Sequence, residues 1–260
     1  MRRARALIAL ITIAAACGTN ASAAPPALPD IESMRCPATA APVAASPSSL
    51  PALAHLASIE QRRIVGRIVH AGHGNSQAEP PIKVSDADQA VLADQLNAAI
   101  GVACALQTPE AAKRAGYVLS AVFTQGVGTH WTNWRLVNQP FDPTRPSMLL
   151  YAPRFGRTRL IGFSYWVRTS APDGPVGFAG DADKWHRHFG LCFDPRGQLE
   201  RENVLDAEEC SGSWLNGADL WMLHVWLVPG DANAWGLFAP LNPVLCSRTA
   251  PDIERCPGFG

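Results

Sequence analysis

Four segments in the second half of the chain are rich in aromatic and branched aliphatic residues, and they constrain the fold most strongly. These segments favour β-strands, and turns rich in Pro, Gly, Asp and Asn separate them. Strands separated in this way predict an antiparallel β-sheet or a small β-sandwich. The four segments are residues 148–151, 159–168, 186–193 and 221–228.

The residues before these strands predict helices. Ser85 followed by Asp86 and Asp88 is typical of a helix start, because acidic side chains interact favourably with the positive end of the helix dipole. Residues 108–110 (TPE) predict a second, shorter helix that ends at Gly116. The fold class is therefore α+β, with N-terminal helices followed by the sheet. In the first helix the apolar residues recur at every fourth position and share one buried face; they are Leu92, Leu96, Ile100 and Cys104.

Residues 1–23 have the pattern of a secretory signal peptide. Basic residues precede an apolar run over residues 6–16, and residues 21–23 (ASA) form a small-x-small cleavage site. The run is too short to span a bilayer, and we expect no transmembrane segment in the mature chain. A weak lipobox around Cys17 leaves a lipid-anchored N-terminus open. The expected location is secreted or periplasmic, or else anchored to the envelope through Cys17.

Composition divides the remaining chain into an arm and a single domain. Residues 24–58 are rich in Ala, Pro and Ser and lack periodicity, so they predict a tether or loosely packed arm. Residues 59–260 are assigned to one globular domain. Hydrophobic residues make up 47% of the whole chain and charged residues 17%, which is ample for a packed core.

Six cysteines remain once Cys17 is removed with the signal peptide or bound to lipid. An even number in an exported chain predicts three disulfides, because that compartment is oxidising. Many pairings are open; a bond between Cys192 and Cys210, which would close a polar loop, is the specific expectation. No C-x-x-C motif occurs, which argues against a zinc knuckle or a thioredoxin-type pair. The six are Cys36, Cys104, Cys192, Cys210, Cys246 and Cys256.

Four histidines in aromatic surroundings form a candidate metal site. On a strand, His186 and His188 would project from the same face about 6–7 Å apart, which suits two imidazoles on one ion. His224 on a neighbouring strand would supply a third nitrogen, and His130 from a loop a fourth. Imidazole ligands predict zinc or copper, whereas calcium and magnesium prefer oxygen.

Two aspartates are candidates for a supporting role at this site. Asp194 has the same strand parity as His186 and His188, so it would accept a hydrogen bond from an imidazole N–H. Asp183 is a candidate general base or a similar acceptor, with an exposed turn residue as the alternative.

Zinc held by three histidines and one water would lower the pKa of that water and support hydrolysis. Copper would indicate oxidative or copper-handling chemistry.

Two other functions stay open. The protein would be a carbohydrate-binding or small-ligand-binding module if its tryptophans were exposed as stacking faces, or a structural envelope protein if it has no site. A net charge of zero argues against nucleic-acid binding. Motifs of serine hydrolases and of phosphate-binding loops are absent from the sequence. The tryptophans concerned are Trp131, Trp185, Trp221 and Trp226.

Part of the chain is similar to the start of the first cupin metal motif. Gly180 is followed at the right spacing by His186-x-His188. Cys192 and Phe193 stand where the motif requires a glutamate, so the cupin ligand set cannot be carried over.

The chain more closely resembles a family of uncharacterised exported bacterial proteins with GTHW, WHRH and LHVW histidine motifs. This resemblance covers much of residues 115–246 and implies a domain over that range, but it implies no mechanism. The matching stretches are residues 126–133 (GVGTHWTN), 141–151 (FDPTRPSMLLY), 160–167 (LIGFSYWV), 185–192 (WHRHFGLC), 221–229 (WMLHVWLVP) and 237–246 (LFAPLNPVLC).

Overall fold

The computed structural model of the protein describes Cys36 and residues 48–60, 84–228 and 231–246. The predicted signal peptide, Cys17, most of the predicted arm and Cys256 lie outside the described residues. None of the helices in the described ranges has the length and apolar character needed to cross a membrane.

The described residues form three α-helices followed by nine β-strands. The helices are α1 (Leu50–Glu60), α2 (Asp86–Ala105) and α3 (Pro109–Arg114). The strands are β1 (Val118–Thr124), β2 (Gly128–Thr132), β3 (Met148–Arg154), β4 (Arg157–Arg168), β5 (His186–Arg187), β6 (Leu191–Phe193), β7 (Leu199–Arg201), β8 (Ser213–Leu215) and β9 (Leu220–Val225). Helices before an antiparallel sheet confirm the α+β prediction, although strands outnumber helices.

Capping side chains position α2 and α3 as predicted. The Ser85 hydroxyl accepts a hydrogen bond from Asp88 N at 3.1 Å, and the Thr108 hydroxyl accepts one from Ala111 N at 3.3 Å. These bonds satisfy backbone N–H groups that have no partner inside a helix. The predicted apolar face of α2 is buried in the core.

Six strands form one antiparallel sheet in the order β1-β2-β3-β4-β9-β5. One face of this sheet packs against α2 and α3 in the largest apolar cluster, and we call it the helix face. Residues aligned across four neighbouring strands line this face because directly opposed residues in a sheet point the same way. They are Trp131, Leu149, Phe163 and Val225.

A three-stranded sheet in the order β7-β6-β8 lies, with α1, against the opposite face. We call this face of the large sheet the inner face. Met148, Trp166 and Met222 extend from it and pack against Leu53 of α1 and Phe193 of β6. A separate apolar cluster around Leu150 and Trp226 covers another part of the same face. The inner face therefore carries two apolar regions.

The predicted strand over residues 186–193 is interrupted, which corrects the sequence interpretation. His186 and Arg187 belong to the large sheet, whereas Leu191–Phe193 belong to the small one. Gly190 lies between them with φ +54°, and a Cβ at this position would approach Val204 O to 2.1 Å. A side chain is thus excluded where the chain passes from one sheet to the other.

The hairpin of β1 and β2 was not predicted. Its strand β2 carries His130, which we expected on a loop. The C-terminal predicted strand ends earlier than expected, at Val225.

Residues 50–60 differ from the prediction of a loosely packed arm over residues 24–58. They form α1, whose side chains Leu53, Leu56 and Ala57 are buried against the inner face. Ser49, just before the helix, is fully buried. The packed part of the protein therefore begins before residue 59.

Two disulfides lie within the described residues. Cys192 is bonded to Cys210, which confirms the predicted pair, and Cys36 is bonded to Cys104 of α2. Cys246 is also disulfide-bonded. Disulfides are typical of oxidising compartments outside the cytoplasm.

Candidate functional site

The β-sheet register places three of the four predicted histidines on the inner face. His224 of β9 lies opposite Ser164, which in turn lies opposite Met148. His186 of β5 lies opposite Met222, two residues from His224 on the same strand. Opposed residues and residues two apart in a strand point to the same side of a sheet.

His130 joins this face through β3. It lies opposite Leu150, two residues from Met148 and therefore on the same side of the sheet. His188 comes just after β5, where the chain leaves the large sheet for the small one. We call the four residues His130, His186, His188 and His224 the histidine cluster.

The rings of the histidine cluster form a continuous chain of contacts. The ring centre of His186 lies 5.2 Å from that of His188 and 5.0 Å from that of His224. The centre of His130 lies 6.4 Å from that of His224. Residues separated by up to 94 positions in the sequence are thus brought side by side by strand pairing.

Oxygen atoms face the Nδ1 atoms of three of these rings. His224 Nδ1 donates a hydrogen bond to Pro240 O at 2.7 Å, and His186 Nδ1 donates one to Lys184 O at 3.3 Å. His188 Nδ1 lies 3.6 Å from Glu202 Oε2. A carbonyl can only accept, so the neutral rings of His186 and His224 carry their proton on Nδ1 and present the lone pair of Nε2. The Nε2 atoms of all three rings are buried.

Burial keeps His130 neutral. Removal from water, with a smaller contribution from nearby His188, lowers the pKa of His130 to about 4, although Glu202 acts in the opposite direction. The Nδ1 atom of His130 is buried and has no hydrogen-bond partner in the described residues. At neutral pH this ring is therefore uncharged, the form in which imidazole binds metals.

A cavity of about 70 Å³ adjoins the histidine cluster between the two sheets. His130 and His188 contribute to its wall, together with Glu202 and the two methionines Met148 and Met222. A water molecule needs roughly 10–15 Å³ measured in this way, so the cavity has room for a few molecules of that size.

Sequence reasoning missed several side chains at this site. The pairing register shows that three further side chains lie on the same face of the sheet as the histidine cluster: Met148, Met222 and Ser164. The sequence alone does not indicate this. Ser164 is fully buried, and its Oγ has no hydrogen-bond partner among the described residues. Glu202 follows β7 in a polar stretch with no distinguishing pattern, so no signal in the sequence pointed to it.

Asp194 does not support the histidine cluster. Its carboxylate accepts hydrogen bonds from Arg196 N and Gln198 N, both at 2.8 Å, in the turn after β6. These bonds and the Arg196 guanidinium lower its pKa, although burial acts in the opposite direction. The predicted parity with His186 fails because the chain changes sheets at Gly190.

Asp183 is likewise not hydrogen-bonded to the cluster. Its Oδ2 accepts bonds from Phe178 N at 2.8 Å and Trp185 Nε1 at 3.3 Å, beside the core of the helix face. Burial raises the pKa of this carboxyl to about 7, against these two hydrogen bonds. It is not an exposed turn residue, the alternative considered above.

Tryptophans at the site are mainly core side chains. Trp131, Trp221 and Trp226 are buried, and Trp185 is half-buried against the helix face. Trp226 contacts His224 with ring centres 6.0 Å apart. These rings therefore do not form an exposed stacking platform.

As the side chains stand, no set of three or more His, Cys, Asp or Glu residues in the described ranges is arranged to hold a metal ion. The site is thus a group of neighbouring imidazoles with a carboxylate and thioethers beside them. The imidazole nitrogen atoms do not point to one common position in this structure. Such a group can bind an ion after ring rotation, or exchange hydrogen bonds with a small polar ligand.

Comparison with known proteins adds no relative: no family model matches the chain, and no curated protein or solved structure matches it. The resemblance to exported bacterial proteins with the three histidine motifs therefore stays a prediction.

Proposed function

We propose that this is an exported protein that binds zinc or copper through the histidine cluster. The observation that carries the proposal is the spacing of the rings. Two imidazoles that share a tetrahedral ion at about 2 Å have ring centres about 5 Å apart. The ring centre of His186 lies 5.2 Å from that of His188 and 5.0 Å from that of His224, which matches this separation.

The hydrogen bonds of the rings support the same conclusion. Histidines that bind metals commonly donate the other ring N–H to a carbonyl or carboxylate, which fixes the ring and raises its basicity. His186 and His224 make such bonds to backbone carbonyls, and His188 lies beside Glu202. Metal binding requires the rings to turn about these Nδ1 hydrogen bonds until their Nε2 atoms face a common point, and His130 to move towards His224.

Zinc and copper are the ions that this set of groups favours. Nitrogen ligands suit both, whereas hard ions such as magnesium require mainly oxygen. The thioethers of Met148 and Met222, which line the adjoining cavity, add soft groups that favour copper in its reduced form. If an ion leaves one position open towards the cavity, a bound water would lie near Glu202, and hydrolysis would then be an additional activity.

The proposal is tested by metal affinity in protein purified without a histidine tag. Calorimetric titration with zinc, and with copper, should give a single site in the full chain. Gln in place of His188 or His130 should weaken binding at least about tenfold, because each removes a nitrogen ligand while approximately keeping the side-chain size.

His55→Gln is the matched control for this titration. His55 lies exposed on α1, away from the histidine cluster, so its replacement should leave affinity unchanged. Thermal unfolding of each variant verifies that it is folded. Wild-type protein that binds neither ion, or cluster variants that bind as tightly as His55→Gln, would contradict the proposal.

A further inference from the structure

A second cavity, of about 380 Å³, lies at the turn between β3 and β4. Three arginines line it, and no acidic side chain does. None of its lining residues belongs to the histidine cluster. We call this cavity the arginine cleft; its arginines are Arg154, Arg157 and Arg159.

The hairpin register places these three side chains on the same side of the sheet. Arg154 lies directly opposite Arg157, and Arg159 is two residues beyond Arg157 on β4. Phe155 and Gly156 form the turn with positive φ values of 50° and 76°. This tight two-residue connection fixes the separation of the first two arginines.

One buried carboxylate is hydrogen-bonded to Arg154 and forms a longer ion pair with Arg159. Asp231 Oδ1 lies 2.8 Å from Arg154 Nε, and Asp231 Oδ2 lies 3.4 Å from Arg159 Nε. The Asp231 side chain is 1% exposed, so its negative charge is buried beside these two guanidiniums. Both contacts use Nε, which leaves the terminal Nη groups of the two guanidiniums outside the ion pairs.

The cleft keeps an excess of positive charge. Three guanidiniums face one carboxylate, and in the part of the chain that the structure describes these arginines form no ion pair with any other residue. Arg157 is exposed and outside both contacts. The remaining charge corresponds to about two positive units, which matches a phosphate monoester at neutral pH.

Two polar residues between α2 and α3 complete the lining of the cleft. Gln107 O accepts a hydrogen bond from Leu160 N at 3.1 Å, and Thr108 O accepts one from Tyr151 Oη at 3.1 Å. Gln107 and Thr108 also line the cleft. Both residues are thus hydrogen-bonded to β3 or β4, the strands that carry the three arginines.

We propose that the arginine cleft binds the phosphate group of a phosphorylated ligand. Guanidiniums recognise phosphate oxygens through pairs of parallel N–H bonds, and Arg154 is already oriented by its hydrogen bond to Asp231. Such a phosphate group is carried either by a soluble molecule or by a lipid. Exposed Phe155 at the hairpin tip makes the lipid arm of the test necessary.

Calorimetric titration with inorganic phosphate, at constant ionic strength set with chloride, tests the proposal on the full chain. Arg157→Gln should weaken phosphate binding about tenfold, because it removes a charged donor. Arg157 makes no ion pair in the described residues, so its replacement should not disturb folding. Thermal unfolding of the variant verifies this. Arg135→Gln, an exposed arginine that does not line the cleft, should bind as the wild type does.

Co-sedimentation with phosphatidylglycerol vesicles, compared with phosphatidylcholine vesicles, identifies the source of the phosphate. Co-sedimentation that Arg157→Gln abolishes and Arg135→Gln does not would support phosphate recognition and assign the group to a lipid. Phosphate binding without co-sedimentation would support a soluble ligand. The proposal is overturned if neither probe binds in an Arg157-dependent way, or if Arg135→Gln weakens binding equally.

Discussion

Individual side chains on the inner face are polar where a core would ordinarily be apolar. His224 is buried on the inner strand β9 and His186 on the neighbouring edge strand β5, in a sheet whose buried residues are mainly aromatic and aliphatic, and Ser164 lies directly opposite His224. A buried polar atom costs free energy unless it is hydrogen-bonded. A group of such atoms in one place indicates a site whose polarity serves a purpose other than stability.

Replacement of Ser164 by Ala tests this view of the inner face. The Ser164 hydroxyl has no partner among the described residues, so we expect the free energy of unfolding to stay constant or to rise by up to about 1 kcal/mol. Ser147→Ala is the control, because the Ser147 hydroxyl accepts a hydrogen bond from Trp166 N at 2.6 Å. It should lose about 1–2 kcal/mol in urea denaturation. A comparable loss in Ser164→Ala would show that its hydroxyl is bonded.

Asp183 predicts a pH-dependent contribution to stability. Its pKa is raised from 3.8 to about 7 in the folded protein, so the folded state holds the proton over a pH range in which the unfolded state loses it. The contribution of this proton to the free energy of unfolding is complete below about pH 4 and is lost as the pH rises through 7. Asp183→Asn mimics the protonated form and should therefore gain stability relative to the wild type as the pH rises.

Urea denaturation at pH 5 and pH 8 measures this difference. The stability of Asp183→Asn relative to the wild type should increase by about 1–3 kcal/mol between the two pH values, at about 1.4 kcal/mol per pKa unit. Asp181→Asn, at an exposed neighbouring position, should show no such increase. An equal difference at both pH values in Asp183→Asn would mean that this carboxyl titrates normally.

Elements with local signals could be predicted from the sequence. The caps at Ser85 and Thr108 mark the starts of α2 and α3, and the long aromatic run of β4 predicts a strand without reference to its partners. The β1–β2 hairpin could not be recognised, since β1 has only one buried residue, Ser120, in seven. The break at Gly190 depends on the close approach of Val204, which no local pattern records.

The histidine cluster was only partly predictable, because its members have a local signal but their contacts depend on strand pairing. Its four members were identified from their aromatic surroundings, but the argument from strand parity holds only for His186, because His188 lies beyond the end of β5. The order β4-β9-β5 is what brings His224 next to His186. Strand order is a property of the whole fold, so neither this contact nor the nearby Glu202 was accessible from sequence spacing.

Helix α1 provides a test at the level of an element. Leu53 is 2% exposed and packs with the inner-face core, although composition assigned it to a loose arm. Leu53→Ala should lower the free energy of unfolding by about 2–4 kcal/mol, because it removes buried methyl groups and leaves a cavity. His55→Ala on the exposed side of the same helix should change it by less than about 0.5 kcal/mol. Equal small effects of both variants in urea denaturation would contradict the packing of α1.

At the scale of the whole molecule, the histidine cluster lies where separate parts of the fold meet. His130, His186 and His224 come from three strands of the large sheet, and His188 comes from the connection to the small sheet. The disulfide between Cys192 and Cys210 joins β6 of the small sheet to the segment before β8. An ion at the cluster would thus add a link between the two sheets, and it would stabilise the fold in proportion to its affinity.

X-ray absorption spectroscopy at the metal edge measures the coordination that we propose for the histidine cluster. The sample is untagged full-length protein, saturated with zinc or with copper and then desalted. We expect a retained ion with at least three imidazole nitrogens at about 2.0 Å. An ion surrounded by oxygen ligands alone, or protein that retains no ion after desalting, would contradict this proposal.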